Sequence, residues 1–385
     1  MQQIAFPITF WCGVPSGIAS AERTREIADA GFTIAQVSGT EDQIRRQLDW
    51  CRDCGITGMV IDGRMPSPAA AERDGWREKV RAIVDAYRDH AGLWGYYVLD
   101  EPSAAQFPGL ARIAGELARL DPAHPAYINL FPNYANEQQL GTKTYDEHVR
   151  RFIDEVKPPL VSYDHYGLHY QETARDGYFR NLRSVRDLSL AARLDFWQIY
   201  LSTPFHTCRD PNESDFRWQA WTTLAYGAKG ISYFTYWTPD SENFHDGIIG
   251  FFGERTHHYP MVQKVNREIL AMGSLLSGLR SVGVVHGGCW ASDPPRYLVG
   301  FPGRDLVVGE FERPDGGAAL IVVNDDLTQA KGWGITVRPE FAAARFVARS
   351  TGAVGGPQPL DDAPYGRRLG LWLGPGDGAI VMLEK

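Results

Sequence analysis

The sequence predicts a (β/α)8 TIM barrel over residues 1–282, followed by a small antiparallel β domain over residues 283–385. Three observations carry that prediction. Eight apolar, strand-like runs recur between Ile4 and Trp237, with amphipathic helical stretches between them. The texture changes near Gly283 to short alternating runs broken by Gly, Pro and Asp. With 385 residues, 44% of them hydrophobic, the chain can bury one large core or two smaller ones.

The runs are Ile4–Val14, Phe32–Ser38, Thr57–Arg64, Leu93–Glu101, Ala126–Pro132, Leu160–Gly167, Phe196–Ser202 and Gly230–Trp237. Each is short enough for a strand and rich in β-branched or aromatic residues. Between them lie helical patterns such as SAERTREIADAG, DGWREKVRAIVDAYRDHAG and FPGLARIAGELARLDP, two of which stop at Gly. A strand followed by a helix, eight times over, is the order of the barrel. A doubly wound sheet would carry a Gly-rich phosphate turn after its first strand, and CGVPSG is not GxGxxG. Beyond the helix VNREILAMGSLLSGLRSVG, the runs RYLVGF, DLVVGEF, AALIVVND, AAARFVARS, RLGLWL and GAIVMLE read as an antiparallel β domain.

Bulk properties narrow the partners. The chain holds 39 basic against 47 acidic residues, a formal charge of −8, which argues against nucleic acid or a membrane surface. No run approaches the roughly 20 apolar residues of a membrane span. The opening MQQIAFPITFWCG has no basic n-region, so a cytoplasmic protein is expected. Cys12, Cys51, Cys54, Cys208 and Cys289 form no disulfide framework, and CRDCG lies in a helical stretch without a second ligand pair. No metal and no cofactor are expected. Nothing in the sequence fixes the oligomeric state. Aromatic residues make up 12% of the chain, with 11 Trp and 17 Tyr. Flat rings at such frequency suit a carbohydrate cleft, because they pack on the apolar face of a pyranose.

Chemistry in this fold sits at the C-terminal ends of the strands, and polar residues accumulate there. The first run carries Trp11, and the third ends in Asp62 with Arg64. The fourth ends in Asp100 and Glu101, and the fifth holds Asn129, with Asn133 and Tyr134 just beyond. The sixth ends in Tyr163, Asp164, His165 and Tyr166. The seventh offers Gln198, and the eighth runs into Tyr236, Trp237, Asp240 and Glu242. Glu101 follows an almost uninterrupted apolar strand, so partial desolvation is expected to raise its pKa and keep it protonated near neutrality. That is the condition for donating a proton to a leaving-group oxygen. The remaining polar and aromatic residues are expected to bind substrate.

With these residues in place, the stretches LWGYYVLDEPS, FRWQAWTTLAYGAKGISYFTYW and VNREILAMGSLL resemble the (β/α)8 glycoside hydrolases of clan A, and family 42 β-galactosidase-like proteins in particular. That resemblance implies a glycosidase with Glu101 as general acid/base. In that clan the acid commonly follows Asn, whereas here it follows Asp100. The clan's nucleophile is a Glu ending strand seven, and FWQIYLSTPF has none. The Asp100–Glu101 pair is also similar to the substrate-assisted hexosaminidases of families 20 and 123, and VSYDHYG resembles the Tyr-Asp motif of the chitinase family. This second resemblance implies that Glu101 is the acid while Asp100 orients an acetamido group that itself attacks.

A third arrangement makes Asp164 the general base of an inverting pair, two strands away from Glu101, with His165 or Tyr166 holding the sugar. Asp240 or Glu242 could serve in its place. Exo-action on an oligosaccharide or glycoside is the expected mode. Two further classes fit the same residues: a metal-dependent sugar isomerase ligated by Glu101, Asp164 and His165, and a barrel that binds carbohydrate without cleaving it.

Overall fold

The computed structural model of the protein describes residues 6–287, 293–300 and 303–385; Cys289 and the start of the first run lie outside them. Eight parallel strands form one sheet: β1 (Ile8–Phe10), β2 (Ile34–Ser38), β3 (Thr57–Ile61), β4 (Leu93–Asp100), β5 (Ala126–Leu130), β6 (Leu160–Asp164), β7 (Asp195–Leu201) and β8 (Gly230–Phe234). Their order is β1-β8-β7-β6-β5-β4-β3-β2. The seam between β1 and β2 is closed at Thr33, whose amide donates to the Ile8 carbonyl (2.9 Å) and whose hydroxyl accepts from the Ile8 amide (2.8 Å). The predicted barrel and the separate antiparallel sheets are both present.

Two compact units divide the chain. One holds the described residues up to Arg209 together with Gly230–Thr256; the other holds Asp210–Lys229 and His257–Lys385. The barrel belongs to the first. Its interior is filled by Ile34, Met59, Tyr127, Leu160 and Trp197, with Trp11, Trp94 and Tyr97 packed against them. Trp94 lies 5.2 Å from Trp197 and 6.0 Å from Tyr127, ring centre to ring centre, so aromatic rings rather than aliphatic layers plug the barrel.

The outer helices start where the sequence signals them. Ser20 caps Ala21–Asp29, and Thr40 caps Glu41–Asp53 in a reciprocal capping box with Gln43. Cys51 lies on the buried stripe of that second helix and Cys54 at its end; burial pushes both thiols up, so the CRDCG pair serves packing.

In the second unit a six-stranded and a three-stranded antiparallel sheet enclose one apolar core that includes Leu320, Val322, Ile335, Leu369 and Val381. The helix Glu213–Ala225 belongs here and is buried from Asp215 to its end. Trp218 donates to Asp325 (2.7 Å), and Arg217 bridges Glu213, Glu268 and Asp377. The sequence boundary at 282/283 follows the chain, whereas these contacts follow the packing. Among the described residues, no helix is long and apolar enough to cross a membrane.

Candidate active site

Strand alternation alone would set Asp100 and Glu101 on opposite faces of β4. Two irregularities bring them together. The register between β4 and β5 slips at Val98, so Tyr97 faces Tyr127 while Asp100 faces Asn129. An extra residue of this kind re-aims everything beyond it. Glu101 then adopts a left-handed backbone (φ +44°), with its amide still bonded to the Asn129 carbonyl at 2.8 Å. Both carboxyls thereby reach the mouth of the barrel.

Asn129 organises them. Its side-chain Nδ2 donates to Asp100 Oδ1 (3.1 Å) and to Asp164 Oδ1 (2.9 Å). The amide is oriented from behind: Ser162 donates to Asn129 Oδ1 (3.0 Å), and the Tyr127 hydroxyl lies 2.7 Å from Ser162 Oγ. The Trp11 side chain bonds to Tyr127 in turn. A hydrogen-bond relay therefore runs through the barrel interior and ends on two acids. All of Asn129, Ser162 and Asp164 are buried, as a relay in low dielectric requires.

Asp164 is also hydrogen-bonded to Glu101, and among the described residues no cation stands with the groups that shift the three carboxyls. Burial, and then the charge of Asp100, raises Glu101 to about 7. Asp100 opens to solvent on one side but is walled by protein on the others, and loss of bulk water raises it to about 6 against the opposing pull of Asn129 and the Glu101 amide. Asp164 is pushed well above the carboxylate range by burial and by the charges of Glu101 and Asp100. Both shifts favour the protonated form, and the hydrogen bond between Asp164 and Glu101 is where a shared proton would sit.

A cavity of about 500 Å³ opens beside this group, lined by Glu101, Asp164, Tyr134, His165, Tyr166 and Phe205 among others. Asn133 also lines it and is fixed by helix Arg175–Ala192: its amide donates to Asn181 Oδ1 (2.7 Å) and its side chain to the Gly177 carbonyl (2.9 Å). His165 Nδ1 lies 3.0 Å from the same Asn181 oxygen, so Nδ1 carries the hydrogen and Nε2 is left as an acceptor. Burial lowers the His165 pKa to about 4, which keeps the ring neutral. Tyr134 stands half-exposed, edge-on to His165, and Tyr166 leans on Phe234 at 4.9 Å. Cys12, Glu101, His206, Glu242 and Asp246, all in loops at this end of the barrel, adopt left-handed backbone with φ between +44° and +54°. Conformations of that kind persist where surrounding structure over-determines them, and they cluster at working sites.

Several expected binding residues lie elsewhere. Asp62 is held by Arg64 (2.6 Å) and Tyr87 (2.9 Å) and is a structural pair. Tyr163 is wholly buried; Ser162 and Asp164 take the inner face of β6, which sends Tyr163 outward. Gln198 likewise alternates with the interior Trp197, and it lies 3.5 Å from the hydroxyl of Tyr178 on an outer helix. Tyr236 stacks on Phe10 at 4.5 Å, behind β1. Glu242 is exposed and pairs with His206 (2.7 Å). Trp11 serves the relay from the barrel interior, while Trp237 and Asp240 line a second cavity.

Sequence reading missed Ser162, Phe205 and Asn181. For Asn181 a signal existed: it is a lone amide on the buried stripe formed by Tyr178, Leu182 and Val185. Among the described residues, the one group of metal-ligand side chains within mutual reach is Asp210, His257 and His258 in the second unit. Glu101, Asp164 and His165 do not form such a group.

No family model and no curated protein matches the chain. Solved structures do. The fold is similar to a glycoside hydrolase family 5 protein from Bacteroides vulgatus ATCC 8482, with TM-score 0.64 and 13% identity over 98% of this chain and 88% of that one. It is similar to a GH27 β-L-arabinopyranosidase from Geobacillus stearothermophilus, with TM-score 0.57 and 10% identity over 99% and 97%. A β-galactosidase from the psychrophilic Marinomonas ef1 matches with TM-score 0.54 and 10% identity over 72% of this chain; the match spans 62% of that enzyme. At these identities the likeness is one of fold.

Proposed function

We propose that the protein is a glycosidase in which Glu101 protonates the glycosidic oxygen. The observation that supports this most is the group of three carboxyls, Asp100, Glu101 and Asp164, raised in pKa and, among the described residues, with no cation beside the groups that shift them. Such a group stores a proton at neutral pH and releases it when a bond nearby breaks. As the bond between the anomeric carbon and the leaving oxygen breaks, the proton passes from the Glu101–Asp164 pair to that oxygen. Water adds to the anomeric carbon, and the proton it loses returns to the cluster. The neutral acceptor Nε2 of His165 and the rings of Tyr134 and Tyr166 supply the walls for one sugar, which favours attack at a chain end.

Asp164 does not suit the role of inverting base. It is hydrogen-bonded to Glu101, whereas an inverting pair stands roughly 6.5–9.5 Å apart with water between. We assign it to holding the proton of Glu101. Asp100, open to the mouth and about half-ionised near pH 6, is the second carboxyl that faces substrate.

This favours a second, narrower reading. β7 ends in Leu201 followed by Ser202, so no carboxylate stands there to act as nucleophile. In an N-acetylhexosaminide the acetamido oxygen would attack instead, with Asp100 receiving the acetamido N–H.

A panel of 4-nitrophenyl glycosides tests both readings. Turnover of any member by the purified chain is expected, and a fully inert panel would argue for a barrel that only binds sugar. Cleavage of the N-acetylglucosaminide or N-acetylgalactosaminide, with the matching glucoside and galactoside left intact, marks substrate assistance. The reverse preference rejects it.

A further inference from the structure

A second cavity, of about 510 Å³, lies between the loops that follow β1 and β8. Its walls are Trp237, Phe251, Phe252, Pro15, Pro239 and the Cys12 thiol, joined by Thr238 and Asp240. The two loops are tied together, since the Trp237 amide donates to the Cys12 carbonyl at 2.8 Å. The cavity opens on the same rim as the carboxyl group: Cys12 follows Trp11, whose ring centre lies 5.6 Å from that of Tyr97 on β4, three residues before Asp100. Glu101 lines the first cavity, and the second opens on the same rim, where β1 and β8 end.

The aromatic residues here are unusual for their exposure. Phe252 is 95% exposed and Phe251 39%. A lone exposed apolar residue is ordinary, but two on one rigid turn, facing a cavity, form a surface that water covers poorly. The turn is held at three points. The Gly253 amide donates to the Gly250 carbonyl (3.1 Å), the Phe252 amide to Glu254 Oε2 (3.1 Å), and Arg23 Nη1 to the Gly253 carbonyl (2.7 Å). The Arg23 guanidinium also sits 5.4 Å from the centre of the Trp237 ring and braces that wall. Both phenylalanines are therefore presented, not merely left outside.

The polar inventory decides what fits. The Thr238 hydroxyl donates to the Ile249 carbonyl (2.7 Å) and accepts from the Gly247 amide (2.9 Å), so it is committed. The thiol is neutral. Among the described residues, Asp240 is the only charged group on the walls. A sugar ring would bring several hydroxyls to a surface with little to answer them, and each left unpaired weakens binding. A flat apolar ring meets Trp237, Phe251 and Phe252 with no such loss, and Asp240 can accept from one hydroxyl at its far edge.

We propose that this cavity is the leaving-group subsite and that it takes an uncharged aromatic aglycone, so that the substrate is an aryl glycoside. The proposal rests on the glycosidase reading for its catalytic meaning, but the binding of an aromatic ring can be tested without turnover.

The probe is 2-naphthol, titrated against the full chain and followed by saturation-transfer NMR. Wild type and Glu101→Gln are expected to bind it equally, with methyl α-D-glucoside, added as a competitor, leaving that binding unchanged. Phe252→Ala, altered at an exposed position, is expected to bind it about tenfold more weakly, since one stacked ring is lost. Equal affinity in wild type, Phe251→Ala and Phe252→Ala would overturn the proposal, as would no binding by wild type. Where the panel above identifies a sugar, Phe252→Ala should lower kcat/KM for its 2-naphthyl glycoside about tenfold relative to its methyl glycoside. If no sugar is turned over, the glycosidase reading fails while the titration still decides the cavity.

Discussion

The ends of β3 and β4 lie side by side on the same rim, both carry acids, and hold them in opposite ways. At the end of β3, burial alone would raise Asp62, but the Arg64 guanidinium, the Arg64 amide and the Tyr87 hydroxyl outweigh it and hold the carboxyl below its usual range. At the end of β4, Asp100 and Glu101 meet another acid and an amide, and burial wins. Desolvation is common to both sites. What differs is whether a cation arrives with the acid. An acid with its own arginine is fixed as an anion and braces a loop; an acid met only by acids and a neutral amide keeps its proton to higher pH.

The largest expected break in this contrast is Glu101→Gln. It keeps the shape and removes the proton, and kcat/KM on whichever glycoside is cleaved should fall about a thousandfold. Asp100→Asn comes next. It removes the charge that helps raise Glu101, so the alkaline limb of the kcat/KM profile, expected near pH 7 in wild type, should move to lower pH. An unmoved limb would mean that Glu101 is not the group that titrates.

Asp62→Asn should leave turnover within about threefold while costing about 2 kcal/mol of stability at neutral pH, measured by urea unfolding. The pH dependence carries opposite signs at the two sites. Asp62, lowered on folding, contributes stability that is present above the usual carboxylate value near 3.8 and is lost as pH falls through its folded value. Glu101, raised on folding, contributes stability that is present below about 4.5 and is lost as pH rises through about 7. The smallest effect follows from the second sign. Glu101→Gln should gain about 1 kcal/mol on wild type between pH 4.5 and pH 7.5, once solvent screening at the half-open site is allowed for.

How much of this was legible in the sequence varies with the kind of information needed. The eight strands, their order and the position of Glu101 at a strand end could be read from apolar runs that stop at acids. Which face each residue takes could not. Tyr163, Gln198 and Tyr236 were expected at the mouth and are packed behind the strands, because facing depends on a two-residue period counted from an unknown origin. Asp100 reaches the mouth only through the slip at Val98, which leaves no mark in the local sequence. The packing of helix Glu213–Ala225 with the second unit was hidden in the same way, since Asp325 and Asp377, which its side chains meet, lie more than a hundred residues further along the chain.

The left-handed backbone at Glu101 has a consequence for how such a protein changes over generations. Glutamate is poorly suited to φ +44°, and glycine or asparagine is at ease there. Any pressure for heat endurance alone would therefore favour losing this glutamate. If Glu101 is the proton donor proposed above, a library screened only for survival at high temperature should drift toward inert barrels by way of this residue.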